Sequence, residues 1–415
     1  MKLLAYLAFL SCLAASCTST RMNKAFKKGQ LDEQSTGVLI QEAASGKVVF
    51  QQHADQYFMP ASNVKLLTFL EANRILPDSI PTYRYLETSD TLYFWGTGDP
   101  SLLHPDLHGD ALLRKLRSTN KVLVLADSDE NVRPLGSGWA WDDYADAYSA
   151  EIASIPMYNN QVRFSVQDGE VVVSPTYFTQ RVKTGKSLGV RRDRNANAFE
   201  IPQVQTMPIT AVPFITSSSQ TADLLSFELG KQVYHFPKAY DGRAVLAYAG
   251  KTDSLYLPML HFSDNQIAEQ LMYLMAAQKN WAGPTSKIIE NLKKEDSLLL
   301  PLKWVDGSGL SRYNLMRPKD LVTVLLKLKD EVSEARLFKL LPESGRTGTI
   351  RKMAPDAVNS RFYAKSGSFG NTYNLAGYYL NAHGKMYVFA IMCNLGNRSI
   401  ASMKQDVMRL LNTLH

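Results

Sequence analysis

The chain has 415 residues, 45% of them hydrophobic and 20% charged, with 24 Gly and 18 Pro. That is globular composition with room for a large core and two or three domains, and it excludes a low-complexity or fibrous chain. A net charge of +7 raises nucleic acid as a partner, but Lys and Arg are scattered, with no basic block interleaved with aromatics. The charge reads as a mildly basic surface working near anionic polymers or membranes, and nucleic acid is set aside.

Residues 1–17 stand apart from the fold. Lys2 supplies a minimal positive start, residues 3–13 form an apolar stretch too short to span a bilayer, and Ala14-Ala15-Ser16-Cys17 has the form of a bacterial lipobox. Cys17 would then be acylated and become the new N-terminus; Ala14 and Ser16 also fit ordinary leader cleavage. Both routes export the chain, and the first leaves it periplasmic and held to a membrane only by a lipid on Cys17. Of the three cysteines, Cys12 leaves with the leader, and Cys393 stands alone in an apolar strand, where it reads as a small core residue. No disulfide is available, and no second run of about 18 apolar residues calls for a membrane-spanning helix. Residues 18–33 are polar and read as a tether.

Strands are expected over residues 37–40 and 47–50, around a turn at Ala44-Ser45-Gly46. A helix opens at Pro60-Ala61-Ser62-Asn63-Val64-Lys65 and ends near Pro77. From residue 83 onward short strands and turns take over, with a helical segment over 111–116 and a strand over 122–125. Gly138-Trp139-Ala140-Trp141-Asp142-Asp143, followed by Tyr144 and Tyr148, reads as packing or as a pocket wall. Residues 160–210 alternate polar and apolar, and helical periodicity returns over 221–229. Residues 83–212 are therefore read as an insertion between two halves, 34–82 and 213–415, of one catalytic domain. After a strand-like stretch at 247–257, Ser263-Asp264-Asn265 precedes the apolar helical face of Ile267, Leu271, Leu274 and Met275. Asp306-Gly307-Ser308-Gly309-Leu310-Ser311-Arg312 is a tight turn before a helix over 319–328. Lys365-Ser366-Gly367-Ser368 leads into strands over 375–380 and 386–393 and a closing helix over 403–411.

Three short elements carry chemistry. Ser62 and Lys65 share one helix face a turn apart, and a lysine held neutral can take the proton of the serine. Spacing alone is weak: about one or two chance matches are expected in such a chain, and Ser118-Thr119-Asn120-Lys121 is one, lying in a polar loop. Ser263-Asp264-Asn265 taken alone reads as a helix cap. With Lys365 as a third element, in this order, the parts for acyl transfer are complete. Ser62 attacks a carbonyl and Lys65 accepts its proton, provided burial or a second cation lowers the lysine pKa; Lys365 would be that cation and would attract a substrate carboxylate. Ser263 passes the proton to the leaving amine, and Asn265 orients the substrate amide. An edge strand starting at Lys365 would pair with an extended peptide, and the N–H groups of Ser368 and Ser62 would form the oxyanion hole. A Ser-His-Asp triad is not supported, because no Gly-x-Ser-x-Gly occurs. The one i, i+4 histidine pair, His104 and His108, lacks a third ligand and reads as surface residues, so no metal or cofactor is called for.

The set Ser62-x-x-Lys65, Ser263-x-Asn265, Lys365-Ser366-Gly367 resembles that of the penicillin-binding serine acyltransferases. More narrowly, the chain resembles the three-domain D-alanyl-D-alanine carboxypeptidase/endopeptidase family of low-molecular-mass class C penicillin-binding proteins. Gly98-Asp99-Pro100-Ser101-Leu102, the Gly-Trp-x-Trp-x-Asp run ending at Asp143, the turn at 306–312 and the long insertion carry the narrower match. The resemblance implies an α/β (α+β), β-lactamase-like domain: an antiparallel sheet flanked by helices, containing the strands of 37–50 and 375–393, beside an all-helical part carrying Ser263. The insertion, shorter than usual for the family, would supply one or two smaller β-rich domains. It also implies a pocket for a diamino-acid side chain of the peptidoglycan stem peptide, with Asp143, Tyr148 and Arg312 as acidic, aromatic and basic wall residues, and substrate contacts from Ser366, Gly367 and Ser368. The third motif has Ser366 where threonine is common, which keeps the hydroxyl. The expected function is a β-lactam-inhibited serine D-alanyl-D-alanine carboxypeptidase/endopeptidase acting on peptidoglycan stem peptides. A β-lactamase on the same fold and a non-catalytic peptidoglycan-binding lipoprotein are the alternatives.

Overall fold

The computed structural model describes residues 19–33, 35–127, 132–240 and 242–414, the side chain of residue 33 excepted. The leader and Cys17 lie outside the described residues. The expected tether over residues 18–33 is instead a helix and turn packed on the core. Helix α1 (residues 19–28) buries Met22, Ala25 and Phe26, and Leu31 follows them inward. Their i, i+3, i+4 spacing makes one narrow apolar stripe that a polar composition conceals.

Strands β1 (Ser35–Glu42) and β2 (Val48–Gln52) form an antiparallel pair. A 3₁₀ turn at Ala61–Asn63 then feeds α2 (Val64–Ile75), in which every residue from Val64 to Ala72 is buried, Lys65 included. A helix covered on all sides shows no amphipathic stripe, so its sequence signal is the unbroken apolar run itself.

The insertion begins with β3 (Ile80–Glu87), β4 (Thr91–Gly96), α3 (Ala111–Arg117) and β5 (Val122–Leu125). It continues through β6 (Gln161–Gln167), β7 (Glu170–Ser174), β8 (Val182–Gly185), β9 (Arg191–Arg192), β10 (Phe199–Pro202) and β11 (Met207–Pro213). Next come α4 (Ser218–Leu229), β12 (Val233–His235) and β13 (Val245–Ala249). These strands make a five-stranded sheet in the order β12-β5-β4-β3-β13 and two three-stranded sheets, β11-β6-β7 and β8-β10-β9. They share a separate core that includes Phe94, Phe164, Phe178, Phe199 and Leu225. Because β12 pairs with β5 and β13 with β3, the insertion returns near residue 250 and not at 212. Two short strands that follow α4 give little local signal, and only their pairing with strands more than a hundred residues earlier assigns them to this sheet. The strand expected over 247–257 stops at Ala249, and α5 (Asp253–His261) follows. His104, expected at the surface, is buried with its Nδ1 accepting from the Asp106 N–H (3.0 Å), while His108 is exposed.

After α5 the chain returns through α6 (Asn265–Lys279), α7 (Thr285–Glu295), α8 (Pro318–Glu331) and α9 (Glu334–Leu340). It ends with β14 (Arg361–Phe369), β15 (Thr372–Leu380), β16 (Met386–Asn394) and α10 (Ile400–Leu411). The catalytic-half sheet has the order β14-β15-β16-β1-β2, so β14 is an edge strand. Both faces of this sheet are covered, which explains the near-continuous apolar runs of β15 and β16. Val388, Ala390 and Met392 face a core shared with α2, α6 and α8, and Phe389, Ile391 and Cys393 face one shared with α1 and α10. Cys393 is free and buried, and burial pushes its thiol up to about 12. Among the described residues, no helix is long and apolar enough to cross a membrane.

Candidate active site

Three sequence-distant pieces meet where α2 starts, against the edge strand β14. The turn before α2 is held by buried amides. Asn374 Nδ2 donates to the Met59 carbonyl (2.8 Å), the Met59 N–H donates to Asn394 Oδ1 (2.7 Å), and Asn63 Nδ2 donates to the Lys365 carbonyl (2.7 Å). Ala61 sits at φ +47°, a left-handed conformation that costs a non-glycine residue about 1 kcal/mol or more and is held here by these contacts. The close approach of β14 depends on Gly367: a Cβ there would lie 2.7 Å from the Pro60 carbonyl oxygen and 2.9 Å from the Ser62 nitrogen.

The structure brings the five expected side chains together. Lys65 and Lys365 are fully buried, and Ser62 and Ser263 are half-buried. Lys65 Nζ lies 3.0 Å from Ser62 Oγ, and it donates to Asn265 Oδ1 (2.6 Å) and to the Ser308 carbonyl (2.6 Å). Lys365 Nζ donates to Ser263 Oγ (2.9 Å) and to the Ser366 carbonyl (2.7 Å). The helix cap that competed for Ser263-Asp264-Asn265 falls to Asp264, which accepts from the Ile267 N–H at 2.8 Å. Ser263, at φ +63°, and Asn265 are thereby released to face the two lysines.

Burial lowers Lys65 to about 8, against the opposing pull of Asp306, then Asp264 and Glu269. Lys365 was expected to be the cation that lowers Lys65; burial does that instead. Lys365 itself is held well below the ordinary lysine value, first by burial and then by repulsion from Lys65.

Several partners lie outside the three short elements. Asp306 accepts from the N–H groups of Gly309 (2.9 Å) and Ser311 (2.6 Å), from Asn314 Nδ2 (2.7 Å) and from Trp139 Nε1 (3.0 Å), which sets the turn presenting the Ser308 carbonyl. Thr68 Oγ1 donates to the Gly307 carbonyl (2.6 Å) and ties the same turn to α2. Glu269, one turn into α6 from Asn265, accepts from the Ser308 N–H at 2.8 Å, and burial raises its carboxyl to about 8. The run Asp306-Gly-Ser-Gly announced a turn, but nothing local to Glu269 distinguishes it from a surface helix position.

The expected pocket residues lie on the rim. Tyr148 OH donates to Asp143 Oδ1 (2.8 Å), and the Tyr148 carbonyl accepts from Asn265 Nδ2 (2.8 Å). Arg312 is exposed, with its guanidinium 5.3 Å from the ring centre of Phe369 at the end of β14. Its N–H donates to the Gly138 carbonyl (3.1 Å), joining the two rim loops. Ser366 Oγ bonds Thr349 Oγ1 at 2.7 Å, and Ser368 is exposed on β14.

An antiparallel sheet flanked by helices, with a serine and a buried lysine one turn apart beside its edge strand, defines a serine acyl-transfer enzyme. The chain belongs to the D-Ala-D-Ala carboxypeptidase 3 (S13) family, whose model matches residues 18–205 and 250–414. It is 24% identical over 409 residues to the D-alanyl-D-alanine carboxypeptidase DacB of Haemophilus influenzae, covering 87% of this chain and 85% of that one. The crystal structure of penicillin-binding protein 4 (dacB) from Haemophilus influenzae superposes with a TM-score of 0.75 at 21% identity, over 95% of this chain and 98% of that one. The same protein complexed with a novel β-lactam superposes at 0.71, again at 21% identity and with 95% and 98% covered.

Proposed function

We propose that this chain is a serine D-alanyl-D-alanine carboxypeptidase/endopeptidase that cleaves peptidoglycan stem peptides through an acyl-enzyme on Ser62. The observation that carries the reading is the bonding of Lys65. A neutral amine has two N–H donors and one lone pair; Asn265 Oδ1 and the Ser308 carbonyl, both at 2.6 Å, take the donors and leave the lone pair for the Ser62 hydroxyl at 3.0 Å. With its pKa near 8, about a tenth of Lys65 is in that neutral form at neutral pH. Once Lys65 has taken the proton, the same two oxygens already stabilise the ammonium.

Ser62 Oγ forms the new bond to the carbonyl carbon of the penultimate D-alanine, and the carbonyl oxygen takes the charge against the Ser62 and Ser368 N–H groups. Collapse breaks the C–N bond, and the proton reaches the departing amine through Ser263. Water then cleaves the ester and restores Ser62. Burial and Lys65 disfavour the charged form of Lys365, and a substrate carboxylate arriving beside it favours that form. Asn265 has a second Nδ2–H for the substrate amide, and edge strand β14 pairs with the extended peptide. Asp143, Tyr148 and Arg312 form the rim pocket, with the carboxylate suited to the amine of a diamino-acid side chain and the guanidinium to its carboxylate. A periplasmic location with a lipid on Cys17 belongs to the same reading, supported by the lipobox and by a family match that begins at residue 18.

The test is intact mass after incubation with benzylpenicillin, for the chain from residue 18 and its Ser62→Ala variant. A single stable adduct on the unsubstituted chain alone is expected, together with D-alanine release from a stem pentapeptide. Penicillin hydrolysis without an accumulating adduct assigns a β-lactamase, and neither adduct nor hydrolysis leaves a binding protein.

A further inference from the structure

Helix α1 has two faces with separate tasks. Met22, Ala25 and Phe26 are buried against the sheet, fixing the helix to the catalytic half. At about 100° per residue, Arg21, Lys24, Lys27 and Lys28 fall within an arc of about 120° on the side away from that stripe. All four are exposed, and none makes an ion pair with another described residue. No acidic residue occurs from 18 to 31, and the next, Asp32, is exposed. A solvated helix face ordinarily mixes both signs; this one is purely cationic.

Positive charge continues over the same end of the molecule. Arg409 on α10 donates to the Lys28 carbonyl (3.5 Å) while paired with Asp406 (2.6 Å). Beside α10 a groove of about 890 Å³ is lined by Arg351, Lys352, Lys404 and Arg409, with Asp356 as its one acid. That groove includes Thr349, whose hydroxyl bonds Ser366, so this end also carries the β14 side of the cleft.

We propose that the exposed face of α1, bearing Arg21, Lys24, Lys27 and Lys28, is a membrane-docking surface that rests on anionic phospholipid headgroups. Chain length supplies the second support. Cys17 lies two residues before the first residue of α1, and two residues span at most about 7 Å. A lipid on Cys17 therefore places this face at the headgroups with no slack between anchor and body, and this step rests on the reading of Cys17 above. Acyl chains paired with a basic patch are the two-signal arrangement that gives stable surface attachment. The catalytic cleft is then held at a set height and orientation over the bilayer, reaching only peptidoglycan within that distance.

The test uses the lipid-free chain from residue 18, which contains every described residue, so docking is read without the anchor. Co-sedimentation is measured with vesicles of phosphatidylcholine alone and of phosphatidylcholine mixed with phosphatidylglycerol. Binding to the mixed vesicles only, falling steeply with salt, is expected. Charge reversal of all four residues (Arg21→Glu, Lys24→Glu, Lys27→Glu, Lys28→Glu) should weaken it at least about tenfold. A matched reversal on exposed cations of the insertion (Lys183→Glu, Lys186→Glu, Arg191→Glu, Arg194→Glu) should leave it within about twofold. Equal loss in both variants overturns the proposal, because net charge alone then explains the binding; so does absence of binding by the unsubstituted chain. Benzylpenicillin acylation of the same samples reports the enzymatic reading separately. Acylation without vesicle binding removes the docking surface and leaves the enzyme, and binding without acylation does the reverse.

Discussion

The chain contains Ser-x-x-Lys in two surroundings, and their contrast shows what makes one of them chemistry. Ser62 and Lys65 sit at the start of a buried helix, where Lys65 has no solvent and its nitrogen faces three oxygens. Ser118 and Lys121 lie in the exposed connection between α3 and β5. There Ser118 Oγ donates to the Lys115 carbonyl (2.8 Å), and Lys121 Nζ donates to Glu87 (2.9 Å) and to the Thr88 carbonyl (2.6 Å). In the second pair the serine closes a helix end and the lysine neutralises a carboxylate, so the hydroxyl and the amine never meet. Spacing puts two groups in reach; burial and the placement of acceptors decide whether one becomes the base for the other.

The largest expected effect comes from removing the buried pair. Ser62→Ala should abolish the penicillin adduct and reduce D-alanine release at least about 10⁴-fold, and Lys65→Met should cost about 10²–10⁴-fold in kcat. Retained turnover in Lys65→Met would assign the base elsewhere. Next, Gly309→Ala strikes the turn that positions the pair. Gly309 stands at φ +86°, and a Cβ would lie 2.0 Å from the Ala61 carbonyl oxygen and 3.1 Å from the Ser62 nitrogen. A loss of about 2–4 kcal/mol in urea unfolding, with activity falling alongside, is expected.

Glu269→Gln separates electrostatics from shape. In the folded protein this carboxyl titrates near 8 against an ordinary 4.5. The folded state therefore holds a proton that the unfolded chain has lost, and stability declines as pH rises from about 4.5 through about 8. The glutamine should flatten that decline by about 4 kcal/mol between about pH 5 and pH 9. The rising limb of kcat/KM, expected near pH 8 from Lys65, should move to lower pH in the variant, because ionised Glu269 favours the protonated lysine. An unmoved limb would detach Glu269 from the site. At the small end, Ser118→Ala and Lys121→Ala should leave acylation unchanged and stability within about 1 kcal/mol, as befits an exposed pair.

Much of the site was legible because its parts are local. Ser62 and Lys65 lie on one helical turn, Lys365-Ser366-Gly367 on one strand, and Ser263-Asp264-Asn265 at one helix entrance whose cap is now seen to be Asp264. The second tier was not legible. Glu269 and Thr349 act through partners that lie 39 and 17 positions away in sequence; for Glu269 in particular the helix pattern offers no mark. The expected tether failed for a different reason: three buried residues in a polar helix give a stripe too narrow to register as core. The insertion boundary failed because β12 and β13 are short, and their membership is settled by partners at 122–125 and 80–87.

By itself, then, the sequence determined which residue types stand on which short elements: the serine and lysine one turn apart, the apolar strands of the sheet, the Lys-Ser-Gly run that opens a strand. Periodicity and local spacing carry that information. Tertiary structure alone decided that Lys65 is buried against Ser62 and that burial, not Lys365, lowers its pKa. It also decided that α1 belongs to the body of the enzyme with its cations turned outward. Those outcomes depend on desolvation and on contacts between residues far apart in the chain, and no window along the sequence contains either.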